Sequence, residues 1–275
     1  MNLEEEFRVA PGSRVQLRDS DADRTPGVNR EEGEREHAKN VVRIRDLQHR
    51  LYAEGRRSLL VVLQGMDAAG KDGTIRHVFG PTNPQGVQVS AFGKPTSNEL
   101  AHDYLWRVHS RAPSRGHIGV FNRSHYEDVL IVRVLGLVPD KAWKRRYDHI
   151  NAFEEMLVDE GTTVLKFFLH VSADEQLKRL TKRLTNPAKA WKYNAEDFSK
   201  RSRRPAYVEA YEDMLEKCST KHAPWHVIPA DNKWFRNHAI AGIVADRLEH
   251  MDPELPELPE DGHRMRETLE GTREG

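Results

Sequence analysis

Ser58-Leu-Leu-Val-Val-Leu-Gln-Gly-Met-Asp-Ala-Ala-Gly-Lys-Asp-Gly-Thr74 decides the reading of this chain. Its first seven residues, Ser58–Gln64, are aliphatic and β-branched without polar alternation. That is the pattern of a strand buried on both faces, and such strands belong to parallel sheets. Gly65-x-x-x-x-Gly70-Lys71 follows at once, and Lys71–Phe79 has helical spacing. A glycine loop between strand and helix lets backbone N–H groups converge on phosphate oxygens, while the helix N-terminus adds its dipole and the lysine a point charge. Gly70, Lys71, Asp72, Gly73 and Thr74 are therefore candidate phosphate-binding residues. One position departs from the pattern. Asp72 stands where such a loop ordinarily carries the hydroxyl that reaches a metal ion, and a hydroxyl appears only at Thr74. Asp67, inside the loop, is the candidate metal-facing carboxylate instead.

Further buried-strand candidates are Val87–Phe92, His117–Asn122, Thr163–Val171 and Trp225–Pro229, separated by stretches of helical spacing. Strands alternating with helices predict an α/β domain with a doubly wound, parallel, five-stranded sheet. Ahead of the first strand, Val41, Ile44, Leu47, Leu51 and Tyr52 recur at spacings of three and four, a helix leading into the core. The first thirty residues carry Pro11, Gly12, Pro26 and Gly27 and few apolar positions, and read as an extended or loosely held arm. From Met251 the chain is acidic and proline-bearing, and reads as a mobile or surface-wrapped tail. The expected organisation is an arm over 1–36, a phosphate-loop domain over 37–250 and a tail over 251–275.

A length of 275 residues suffices for a large buried core. No apolar run approaches the roughly 20 residues of a membrane span. The single cysteine, Cys218, has no intramolecular partner, and the N-terminus lacks a basic-then-apolar leader, so a reducing cytoplasm is the expected compartment. The formal net charge of zero is unevenly spread: both ends are acidic, which leaves a surplus of ten positive charges between His37 and Leu248. That domain should attract anions. Of the fourteen histidines only His222 and His226 stand four apart, and they flank Pro224 in a turn-to-strand passage, so no zinc site is expected; Cys218 reads as a partly buried and inert residue, and Trp225, Trp234 and Phe235 read as packing groups.

Two more clusters extend the phosphate reading. His117–Asn122 ends in the polar run Asn122-Arg-Ser-His-Tyr-Glu-Asp128, at the place where a phosphate-loop enzyme carries its second metal-linked carboxylate. Asn122 occupies that place, and its amide oxygen can coordinate magnesium or orient its water; Glu127 and Asp128 are candidates to compensate in charge. Arg123 and Arg133 are candidates to stabilise charge on a transferred phosphoryl group. From Asp174 to Ala206 the chain holds ten Lys or Arg against four acids. Arg179 and Arg183 share a helix face, and Pro187 opens a segment through Trp191 and Lys192. This reads as a basic, helical, phosphate-closing lid over about 178–206.

These residues resemble the polyphosphate kinase 2 family. The resemblance rests on GMDAAGKDGT (Gly65–Thr74), NPQGVQVSAFGKPTSNEL (Asn83–Leu100), HDYLWR (His102–Arg107), FNRSHYEDVL (Phe121–Leu130), NPAKAWKYN (Asn186–Asn194) and HAPWHVIPADNKWFRN (His222–Asn237). It implies a P-loop kinase-like fold and magnesium-dependent phosphoryl transfer between inorganic polyphosphate and adenine nucleotides, with manganese as a substitute ion. It further implies a homodimer or homotetramer, with neither nucleic acid nor membrane as partner. Carried onto matching positions, Asp67 and Asn122 face the metal, Lys71 and Arg123 the transferred phosphate, and Glu127 the acceptor. Arg133 and Arg183 line the polyphosphate path, and Lys94 and Asp103 lie where relatives bind the acceptor nucleotide. Members that chiefly phosphorylate nucleoside diphosphates commonly show Asp in place of Asn122, so this chain resembles the subgroup accepting both AMP and ADP. Two other readings share some of these features. An ATP-dependent nucleoside monophosphate kinase would have the same fold, loop and lid but would be expected to keep Ser or Thr at Asp72. A nucleic-acid-binding protein with a vestigial loop would share the basic surface, but the chain shows no recognition motif of that kind.

Overall fold

The computed structural model describes residues 1–191 and 201–271. β1 (Ser58–Gly65), β2 (Val87–Ala91), β3 (Ile118–Asn122), β4 (Thr162–His170) and β5 (Trp225–Pro229) form one sheet in the order β2-β3-β1-β4-β5. Every pairing is parallel. The five expected strands are found to within one residue at either end. All eight residues of β1 are buried, as its unalternated sequence requires. At the sheet's edge, β2 leaves Val89 about half exposed.

Six longer helices flank the sheet: α1 (Arg30–Glu54), α2 (Lys71–Val78), α3 (Asp140–Asp159), α4 (Ala173–Thr185), α5 (Arg204–Cys218) and α6 (Lys233–Met251). α6 packs along α1 and against α2, whereas α3 packs on β4 and α5. Ala239, Ala241, Gly242 and Ala245 leave little side chain on α6, which is buried almost throughout. β1 lies between β3 and β4, and the chain leaves it first toward β2 and later toward β4. The crevice at the carboxyl ends of β1 and β3 is thus the topological switch point, where open α/β sheets bind ligands. Register places Leu63 of β1 opposite Asn122 of β3, so the loop after Gly65 meets the polar run after Asn122.

The N-terminal segment is docked, contrary to the loose arm expected from its composition. A short helix over Leu3–Phe7, capped by Asn2, seats Phe7 edge-on to Phe235 with ring centroids 5.9 Å apart. Arg8 forms an antiparallel bridge to His226, and Val9 N–H donates to Trp225 O at 2.8 Å. Ala22 is fully buried, and its carbonyl accepts from Asp231 N–H at 3.0 Å. Each apolar residue of the segment anchors separately, so no periodic stripe announces the docking. The expected boundary at 36/37 falls inside α1. Part of the expected tail is also ordered, as a helix over Glu260–Gly271. Of the lid, α4 and a turn of helix over Pro187–Ala190 are described, and α5 begins before its expected end at 206. No helix among the described residues is long and apolar enough to cross a membrane.

Candidate active site

The phosphate loop is built on unusual backbone conformations. Gly65 (φ 151°), Ala68 (φ 64°) and Gly70 (φ 114°) all have positive φ. Lys71 opens α2 and folds its side chain back under the loop, where Nζ donates to Gly65 O at 2.6 Å and to Met66 O at 3.3 Å. Burial, helped by the charge of Arg123, pushes the lysine down to about 8, against the raising effects of Asp67, Glu127 and Asp72. A phosphate entering the loop would supply the anion that restores the charged form. Asp72 is exposed on the first turn of α2, facing the crevice, while Thr74 is fully buried and its hydroxyl has no hydrogen-bond partner. Thr74 does not line the crevice. Two residues beyond Asp72, at about 100° per residue, it lies on the opposite side of the helix.

Beside the loop, the end of β3 turns sharply through Arg123, whose φ is 62° and whose N–H donates to Leu63 O at 3.0 Å. Its guanidinium meets Asp67 Oδ1 at 2.6 Å and Glu127 Oε2 at 3.5 Å. Asn122 Nδ2 donates to Asp72 Oδ1 at 2.9 Å, which leaves the amide oxygen to accept. The turn His125–Asp128 starts from Ser124, whose hydroxyl caps it. Burial raises Asp128 to about 6, against the lowering charges of Arg146 and Arg107. Arg146 Nη1 donates to the Asp128 carboxylate at 3.1 Å.

Behind this turn lies a fully buried charged network. Lys166 Nζ contacts Glu154 Oε2 at 2.5 Å, Tyr126 OH at 2.8 Å and Cys218 O at 2.7 Å. Glu154 Oε1 accepts from Tyr126 OH at 2.8 Å and pairs with His125 Nε2 at 3.1 Å. Burial alone would raise Glu154, but the Lys166 charge and the His125 hydrogen bond outweigh it and hold the carboxyl below its usual range. The network ties the turn between Arg123 and Glu127 to α3 and β4. Sequence reasoning missed it, although the signal was present: Lys166 interrupts an apolar buried strand, and Glu154 lies on the core face of a long helix. Cys218 is buried beside it and pushed up to about 12 by burial, in keeping with the inert thiol expected.

The crevice has a volume of ≈ 1780 Å³, beyond the ~300–1,000 Å³ of a single small-ligand pocket. Asp67, Gly70, Lys71, Asp72, Gly73, Asn122, Arg123 and Glu127 line it. Lys94, Asp103 and Asp128 line it as well, together with Arg107 and Arg146, which sequence reasoning did not assign to a ligand. Asp103 there also accepts from Leu105 and Trp106 N–H, at 2.9 and 3.1 Å. Arg179, Arg183, Trp191, Lys233 and Arg236 also line it.

Two expected phosphate ligands are engaged otherwise. Arg133 does not line the crevice; it pairs with Glu209 and Asp213, both at 2.6 Å, and lies over the Trp143 ring at 4.7 Å. Two carboxylates on α5 neutralise it, a placement that only tertiary packing could decide. Arg179 reaches the crevice but directs all five of its N–H groups at protein. Nε meets Glu175 Oε1 at 2.8 Å, and Nη1 donates to Ala68 O and Ala69 O at 3.1 and 2.9 Å. Nη2 donates to Ala230 O and Asp231 O at 2.7 and 2.8 Å, so this side chain clamps the phosphate loop to the β5 loop. Lys192 lies outside the described residues.

The oxygen set of Asp67, Asp72 and Asn122 fits a hard divalent cation. Such an ion is held by one or two carboxylates together with substrate phosphates rather than by a protein cage. Consistently, no three His, Cys, Asp or Glu side chains among the described residues are grouped as a metal site.

A family model described as polyphosphate kinase 2 matches residues 27–256. The chain is 50% identical over 256 residues to the AMP/ADP-polyphosphate phosphotransferase of Meiothermus ruber, covering 91% of this chain and 95% of that one. It is 42% identical over 265 residues to the ADP-polyphosphate phosphotransferase of Rhodopseudomonas palustris, covering 92% of each. A crystal structure of polyphosphate kinase 2 from Arthrobacter aurescens superposes with a TM-score of 0.93 at 41% identity, over 98% of this chain and 96% of that one. With a phosphate loop, a metal-fitting oxygen set and a crevice large enough for two substrates already in place, these likenesses settle the kinship: the chain belongs to the polyphosphate kinase 2 family.

Proposed function

We propose that this protein moves the terminal phosphoryl group of inorganic polyphosphate onto AMP and onto ADP, giving ADP and ATP, and runs in reverse at high ATP. The observation that carries this reading is the convergence of Lys71, Arg123, Asp67 and Asn122 in one crevice that further cations, Arg183 and Lys233 among them, also line. Phosphoryl transfer asks little covalent chemistry of a protein, so the required groups are positioners and charge stabilisers. One P–O bond of the donor chain breaks as a phosphate oxygen of the nucleotide takes its place. That oxygen is already ionised, so no base is required to activate it. Lys71 and Arg123 offset charge on the transferred group, with Arg123 aimed by Asp67 and Glu127. Magnesium, with manganese as substitute, would be held by Asp67 and Asn122 and would supply positive charge to offset that of the phosphates. Lys94 and Asp103 belong to the acceptor end and Arg183 to the donor end. Asn122, where diphosphate-preferring members commonly carry Asp, supports use of both AMP and ADP, as does the name of the Meiothermus ruber relative. We further place the enzyme in the cytoplasm as a homodimer or homotetramer that does not act on nucleic acid.

The test is nucleotide analysis after incubation with magnesium, AMP or ADP, and polyphosphate as the only added donor, with parallel tubes lacking polyphosphate or holding ATP instead. ADP and ATP from AMP only with polyphosphate is the expected result. Product from ADP alone would refute the subgroup, and turnover only with ATP would make this a nucleoside monophosphate kinase.

A further inference from the structure

Arg236, on the first turn of α6, is a buried cation for which the described residues supply no counter-ion. Its exposure is 2%, yet it lines the crevice against the outer side of the phosphate loop. A Cβ built on Gly70 would lie 1.9 Å from its Nη1, and one on Gly73 would lie 3.2 Å from Nη2, so glycine at 70 is what admits the guanidinium. Its partners are neutral. Nε and Nη2 donate to Asn237 Oδ1 at 3.2 and 2.8 Å, and Nη1 donates to Ala69 O at 3.3 Å. A guanidinium carries five N–H groups, which leaves one on each terminal nitrogen. Among the described residues no carboxylate pairs with it, whereas Arg179, its cationic neighbour, is balanced by Glu175. Burial and the Arg179 charge together lower Arg236 to about 10.

An unpaired buried charge is costly unless a ligand completes it. We infer that Arg236 is a binding residue for the donor chain, its spare N–H groups completed by phosphate oxygens that extend past the loop. This rests on the polyphosphate-donor reading above. Arg183 and Lys233 line the same crevice. Continuous positive charge beyond the loop suits a donor that stays anionic along its length; a nucleoside triphosphate would present a neutral sugar and base there.

The test compares wild type with Arg236→Gln and Arg236→Lys. Initial rates are measured against polyphosphate at saturating ADP and against ADP at saturating polyphosphate. Melting curves are taken with and without polyphosphate in the absence of nucleotide. Losing charge-assisted hydrogen bonds should raise the half-saturating polyphosphate concentration of the Gln variant about tenfold or more. Its KM for ADP should stay within about twofold, and the melting shift produced by polyphosphate should shrink, with partial recovery in the Lys variant. Equal rises in both KM values, or a loss of kcat with the polyphosphate response intact, would overturn the inference and leave Arg236 a prop for the loop. Should the Gln variant fail to fold, the Lys variant and its melting shift decide alone. A wild type that is inert to polyphosphate as donor would instead defeat the functional reading, and the melting comparison would still show whether Arg236 binds the polyanion.

Discussion

Replacing Lys166 with Met removes the one cation from a network in which both charged members are 0% exposed. Glu154 would keep Tyr126 OH at 2.8 Å and His125 Nε2 at 3.1 Å but lose its closest contact, at 2.5 Å. Removing one partner of a buried ion pair typically costs about 3–5 kcal/mol. At the ~2 °C per kcal/mol expected for a chain of this size, Tm should fall by roughly 6–10 °C. The pH dependence carries a sign. In the wild type Glu154 is held below its ordinary range, so its contribution is present above the unfolded value of about 4.3 and fades as pH falls through the lower folded value. In the variant burial dominates, the folded value rises above the unfolded one, and acidification favours the folded state. The gap in Tm should therefore narrow between pH 8 and pH 5. Converting both members, as Lys166→Met with Glu154→Gln, removes the stranded charge and should recover part of the loss. Urea unfolding and thermal melts measure all three proteins. A single variant within about 1 kcal/mol of wild type, or a double variant worse than the sum of the singles, would refute the assignment of a tightly coupled buried pair.

Three further outcomes are expected. Lys71→Met should abolish nearly all turnover while leaving Tm near the wild-type value; in the wild type, kcat/KM for polyphosphate should fall as pH rises through about 8, where the free enzyme's Lys71 loses its charge. Asn122→Asp would set two carboxylates about as close as the present 2.9 Å contact with Asp72, and should shift the ratio of AMP to ADP turnover toward ADP, read by nucleotide analysis. Deleting residues 1–25 should lower Tm by several degrees, because it uncovers Phe235 and removes Val9 from Trp225 and Ala22 from Asp231; an unchanged melting curve would show the docked arm to be dispensable.

The sequence by itself determined the phosphate loop, the five parallel strands and the basic end of the domain. Those signals are local: a glycine spacing, an unalternated apolar run and a cluster of like charges are visible in any short window. It also put Asp67, Lys71, Asn122 and Arg123 at the ends of two strands that register makes neighbours, so that they line one crevice. Only the tertiary structure decided how each cation is spent. Arg133, Arg179 and Arg236 look alike in sequence, yet one is neutralised by α5, one clamps carbonyls and one keeps donors for a ligand. The same holds for the arm and for the Glu154–Lys166 pair, since their partners lie far away along the chain or across the sheet. An ionic group's role follows from the dielectric around it and the acceptors in reach, and both are properties of packing.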